Sequence, residues 1–123
     1  MKKPVVPKWL DQPDDKDYSA ARNYTELLFG LKKARNYFKD FKDAPIAKHL
    51  ARDLLRASAT PISEVQAFDW AKQQKEITAG TPLSPILLIH QKNGQPLIIA
   101  DGFHRLCAVF NADQDAAVPC KIV

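Results

Sequence analysis

Apolar residues recur at helical spacing through the first half of the chain and gather into short unbroken runs in the last third. Residues 1–18 hold three prolines and the acidic run Asp14-Asp15-Lys16-Asp17, which reads as an extended arm docked through Trp9 and Leu10. From Ser19, an expected N-cap, the pattern turns helical: Tyr24, Leu27, Leu28 and Leu31 share a face at spacings of three and four. Gly30 interrupts it, and Leu31, Ala34, Phe38 and Phe41 continue as a second helix that Pro45 ends. Ile46–Leu50 reads as a short strand and Ala51–Ala59 as a short helix. Ser63 and Gln66 fit a capping box, which predicts a helix from Ser63 to Ala79 with Gly80 as its stop and Pro82 just beyond. Ser84–His90 is an apolar run of strand length. An Asn93-Gly94 turn separates it from a second strand, Pro96–Ala100, and the two are expected to form a hairpin. A largely buried helix is predicted over Phe103–Ala112 and a closing strand over Ala117–Val123. Helix, hairpin, helix and strand in that order imply an α+β fold around a small mixed sheet.

Bulk properties narrow the picture only modestly. With 123 residues, 46% hydrophobic and 26% charged, the chain suits one compact domain with a real core. The net charge of +4 is compatible with an anionic ligand but too small to indicate nucleic acid. Lys32, Arg35, Lys39 and Lys42 form a basic stripe along the second helix, as either a polyanion surface or the solvated side of an amphipathic helix. Cys107 and Cys120 both lie in apolar runs and make neither a metal motif nor a disulfide framework, so buried reduced thiols are expected. The basic N-terminus is broken by Pro4 and Pro7, and no run approaches the roughly 18 apolar residues of a membrane span. A cytoplasmic protein without membrane contact is the expectation.

The stretch Ile98-Ile-Ala-Asp-Gly-Phe-His-Arg-Leu-Cys-Ala-Val-Phe110 carries the candidate chemistry. It reads as a strand, a corner at Asp101-Gly102 and an apolar helix. Two cations, His104 and Arg105, stand at a helix start that is already positively polarised. Gly102 permits a tight turn, and the free N–H groups of the first helical turn then point out of the corner. An anion placed there would meet those amides, the helix dipole, His104 and Arg105. Pairing of Arg105 with Asp101, four residues earlier, accounts for the same residues without an anion.

Strand, G-x-H-R corner, apolar helix and the final strand Ala117-Val-Pro-Cys-Lys-Ile-Val123 resemble the ParB/sulfiredoxin superfamily. The preceding helix and the strand Leu83-Ser-Pro-Ile-Leu-Leu-Ile89 extend the resemblance, which covers roughly residues 46–123. It implies a stand-alone ParB-like nuclease or nucleotide-binding domain, with residues 1–45 as an N-terminal arm and helical extension. In that superfamily the corner holds nucleotide phosphates: ATP in sulfiredoxins, CTP in ParB proteins, and a nucleotide with Mg²⁺ in free serine kinases that carry a D-G-H-H-R motif. The resemblance thus assigns phosphate binding to Gly102, Phe103 (through its backbone), His104 and Arg105. Asp101 matches the kinase form. Phe103 stands where a sulfiredoxin has its nucleophilic cysteine, so sulfinic acid reduction is not expected. The chain stops directly after its last strand, before the DNA-reading parts of a partition protein, so centromere binding is not expected either. Glu64 and Glu76 are the only glutamates in the matched region, and neither has a spacing that marks it as catalytic.

The function expected is binding of a nucleotide or another phosphate-bearing small molecule, ATP or CTP with Mg²⁺ by resemblance, with NTPase or phosphotransfer activity as its enzymatic form. The alternatives are a non-catalytic interaction module with a protein partner, and a DNA-associated accessory protein that uses the basic stripe.

Overall fold

The computed structural model describes residues 6–66 and 70–123. Its sheet has four strands, β1 (Ala47–Leu50), β2 (Ile86–Ile89), β3 (Ile98–Asp101) and β4 (Ala117–Ile122), in the order β1-β4-β2-β3. β4 pairs antiparallel with β1 and parallel with β2, and β2 pairs antiparallel with β3, so the sheet is mixed. The expected α+β class is what the structure shows. Asn93 and Gly94 both adopt positive φ, 61° and 69°, which lets the β2–β3 hairpin turn with the twist of its strands. Pro119 sits in a central strand, yet the first β2–β4 pair is Ile86 with Cys120, so its missing N–H falls outside that ladder.

Both faces of the sheet are covered. Ile86, Leu88, Val118 and Cys120 pack on one side against α3 (Ala51–Ala57), α5 (Ala71–Ala79) and α6 (Phe103–Ala112), together with Val65 from the short α4 (Ile62–Gln66). Leu87, Ile89 and Ala100 pack on the other side against α1 (Asp15–Phe29) and α2 (Leu31–Asp43) through Tyr18, Ala21 and Phe41. Burial on both faces is why the β2 sequence is an unbroken apolar run rather than an alternating one.

α1 begins four residues before the expected Ser19. Asp14 caps it, accepting from the Lys16 N–H at 3.2 Å, and Asp15 and Asp17 complement its positive end. The acidic run is thus the start of a helix rather than part of an arm. The buried face also differs from the expected one. Tyr18, Ala21 and Thr25 turn inward, while Tyr24, Leu27, Leu28 and Leu31 remain exposed. Small Ala21 admits close approach to the sheet, and the Thr25 hydroxyl donates to the Ala21 carbonyl at 2.8 Å, so its polar atom is satisfied within the helix. Gly30, at φ 89°, separates the two helices as expected.

The single helix expected from Ser63 to Ala79 is two helices, α4 and α5; residues 67–69 of that span lie outside the described residues. Pro61 supplies the first acceptor of α4, for Glu64 and Val65, so Ser63 is not its cap. The Trp70 indole N–H donates to the Val65 carbonyl at 2.6 Å, taking an acceptor that a continuous helix would use itself. Gly80 ends α5 in the left-handed conformation, and the Thr81 N–H reaches back to Glu76, as the glycine stop predicts.

Lys121 is the least expected core residue, at 1% exposure. Its ammonium donates to the Phe41 carbonyl at 2.9 Å and to that of Lys42 at 3.4 Å, at the negative end of α2, and lies 5.4 Å from the centroid of the Tyr18 ring. Lys121→Ala is expected to lower stability by about 3 kcal/mol in urea unfolding, through lost packing and carbonyls left without a donor. A change within about 0.5 kcal/mol would place this lysine outside the forces that dock α2.

Candidate functional site

Backbone geometry fixes the β3–α6 corner before any side chain acts. Gly102 is the N-cap of α6 at φ 100°, ψ 17° and offers no capping side chain. A Cβ there would lie 2.6 Å from Ile86 Cδ1 and 2.8 Å from Arg105 Nη2, so both conformation and space require glycine. The Leu106 N–H returns to the Gly102 carbonyl at 2.9 Å, which leaves the amides of the first turn directed outward.

Over that turn opens a cavity of about 510 Å³. Asp101, Gly102, Phe103 and His104 line it from the corner, Ile99 from β3, Tyr24 from α1 and Glu64 from α4. His104 is exposed, with its ring 5.4 Å from Trp70 and 6.0 Å from Phe103. Phe103 itself packs on the core and stands edge-on to Trp70, so its contribution to a ligand would come from its backbone.

Arg105 faces elsewhere. Its Nη2 donates to Asp101 Oδ2 at 2.9 Å and lies 3.2 Å from Asp17 Oδ2, and its side chain is 19% exposed. It lines a separate cleft of about 340 Å³ with Asp17, Glu76 and Ser84. Successive helical residues diverge by about 100°, and the two carboxylates select the side that Arg105 takes. The pairing with Asp101 was legible in the sequence. The approach of Asp17, more than 80 positions away, was not. Arg105 is therefore neutralised without a ligand, and the groups of the corner that line the cavity are the first turn of α6 and His104.

Burial raises the pKa of Asp101 above the usual 3.8; Arg105 opposes the shift, and nearby Asp17 adds to it. Burial pushes the Cys107 thiol up to about 12, with the Glu64 charge adding to the rise, and the Cys120 thiol up to about 11. Both cysteines are free and buried, as expected, and both hold their protons at neutral pH. Among the described residues no group of three or more His, Cys, Asp or Glu side chains is placed to hold a metal ion, and no helix is long and apolar enough to cross a membrane. The basic stripe is partly occupied: Lys42 lies 3.9 Å from Asp15 and sits over the Tyr18 and Phe38 rings.

No family model, curated protein or solved structure matches the chain.

Two outcomes test this geometry. Because the Asp101 pKa is raised in the folded state, its contribution to stability is complete below pH 3.8 and is lost as pH rises through the native value. The urea midpoint of the native protein relative to Asp101→Asn should therefore fall from about pH 3 to about pH 6; a difference that rises over this range would contradict the burial-driven shift. Both thiols should react with a soluble disulfide reagent only on unfolding, and rapid labelling of the native protein would refute their burial.

Proposed function

We propose that the chain binds a phosphate-bearing small molecule, a nucleotide by its resemblance to the ParB/sulfiredoxin superfamily, in the β3–α6 corner cavity. The observation that carries this reading is the cavity of about 510 Å³ over an N-terminal helical turn that no side chain caps. Its size is within the range of small-molecule sites. The amides of Phe103 and His104 supply donors to a phosphate, and the exposed His104 ring supplies another. Tyr24 offers an aromatic face to a base, and Glu64 an acceptor to sugar or base N–H and O–H groups. Arg105 is assigned a positioning role: it holds Asp101 and Asp17 and so fixes the corner.

The residues present do not fit a protein-built Mg²⁺ site. Asp101 is already bound by Arg105, and the described residues bring no third ligand. Mg²⁺ would arrive on the phosphates of the nucleotide. NTPase or phosphotransfer activity would draw on Glu64, the second carboxylate lining the cavity.

A specific observation favours the interaction-module reading as well: Tyr24, Leu27, Leu28 and Leu31 form an exposed apolar face next to the cavity.

Melting temperature with ATP, CTP and GTP, each with Mg²⁺, is the direct test. A nucleotide at 100 times its Kd stabilises by about 2.7 kcal/mol. His104→Ala should fold normally and weaken that nucleotide at least fivefold, since a hydrogen bond to a charged group contributes about 1.5–3 kcal/mol. Arg105→Ala is a poorer probe, because it leaves two neighbouring carboxylates without a cation and acts on the fold first. No shift with any of the three nucleotides, or with inorganic phosphate, would sink the reading.

A further inference from the structure

Three charged side chains meet where α1 touches the corner, and their charges do not balance. The side chains of Asp101 from β3, Arg105 from α6 and Asp17 from α1 are 15%, 19% and 7% exposed. Two carboxylates share one guanidinium there, and they share one atom of it. Arg105 Nη2 stands 2.9 Å from Asp101 Oδ2 and 3.2 Å from Asp17 Oδ2. Arg105 Nε is buried without a partner, so that side of the guanidinium neutralises neither carboxylate. Among the described residues no second cation comes within ion-pair distance of Asp17 or Asp101. The wider surroundings do not supply the missing charge. His104 and Glu64 line the cavity with Asp101, and Asp14, Lys16 and Glu76 line the cleft with Asp17 and Arg105. Those neighbours add three carboxylates against one lysine and one histidine.

A buried cluster with one charge in excess is unfavourable, and a carboxyl group relieves it by taking up a proton. The contacts show what that proton does. Asp17 Oδ2 is buried and receives no hydrogen bond, and the Asp17 and Asp101 carboxyl groups are in hydrogen-bond contact with each other. A proton on Asp101 turns two facing acceptors into a donor and an acceptor. Burial and the Asp17 charge both push Asp101 toward its protonated form.

We propose that Asp101 and Asp17 are joined by a single proton, carried by Asp101, that latches α1 onto the corner. With the proton in place the cluster is neutral: one guanidinium, one carboxylate and one carboxylic acid. Without it, two buried carboxylates oppose each other across the contact between α1 and β3. The folded chain holds this proton more tightly than the unfolded chain, so the latch is complete below pH 3.8 and is lost as pH rises through the native Asp101 value. Asp101 is a wall of the corner cavity, and Ala20 and Tyr24 of α1 form another. Loss of the proton therefore adds a negative charge to the cavity and loosens its α1 wall. For a phosphate-bearing ligand, a consequence that rests on the reading proposed above, acid favours binding and alkali favours release.

Carboxyl-carbon NMR of the ligand-free protein, followed from about pH 3 to about pH 8, reads the latch directly. Asp101 should titrate above 3.8 in the native protein, and Asp17→Asn, which keeps an oxygen for Arg105 but carries no charge, should lower that midpoint. Amide protection of α1, corrected for intrinsic exchange, should fall about fivefold or more as Asp101 ionises. It should stay level in Asp101→Asn, whose side-chain amide replaces the protonated acid. A native Asp101 midpoint at or below 3.8, or α1 protection indifferent to Asp101 ionisation, overturns the latch whether or not Asp17→Asn folds. A midpoint that folded Asp17→Asn leaves in place overturns it too, because the proton would then not be shared. These readouts use no ligand: a protein that binds no nucleotide but shows a raised, Asp17-dependent Asp101 midpoint upholds the latch and removes only the ligand reading.

Discussion

A sheet whose central strands are apolar on both sides must be covered on both sides, and that constraint organises this molecule. α3, α5 and α6 cover one face and are close to it in the chain. The second face is covered by α1 and α2, the most N-terminal helices, and this contact depends on two cations from the far end of the sequence. Lys121 reaches out of β4 to the carbonyl end of α2. Arg105 reaches back from α6 to Asp17 on α1. Both charges are largely removed from water, so each requires the partner it has.

The same docking shapes the candidate site. α1 brings Tyr24 to one wall of the corner cavity, and its Asp17 holds Arg105 away from that cavity. The puzzle of two cations at a helix start then has two answers. Arg105 is there to meet two carboxylates. His104, next to it and exposed, lines the corner cavity instead. The N-terminal helices are thus part of the site rather than an appendage to it.

What was legible in the sequence was local. The hairpin turn, the glycine stop after α5, the Gly102 corner and the extent of α6 each follow from a few adjacent residues, and each was read correctly. What was hidden was non-local. The periodicity of Tyr24, Leu27, Leu28 and Leu31 marks a helix correctly, but it cannot say which side meets the sheet; Ala21 and Thr25 win that side by being small and internally satisfied. Lys121 reads as a surface residue until α2 supplies its carbonyls. Glu64 lines the corner from α4, which the expected single helix did not separate from α5. In each case the deciding partner lies on another element, where neither propensity nor spacing can register it.

A double-mutant cycle between Asp17 and Arg105 tests most directly whether the N-terminal helices are locked to the corner. Urea unfolding of Asp17→Ala, Arg105→Ala and the double variant should give a coupling energy of about 1–3 kcal/mol, with the double variant losing much less than the sum of the singles. Additive losses, with coupling near zero, would contradict the account, since the two residues would then stabilise the fold independently and α1 would not be held by the charge that forms the corner.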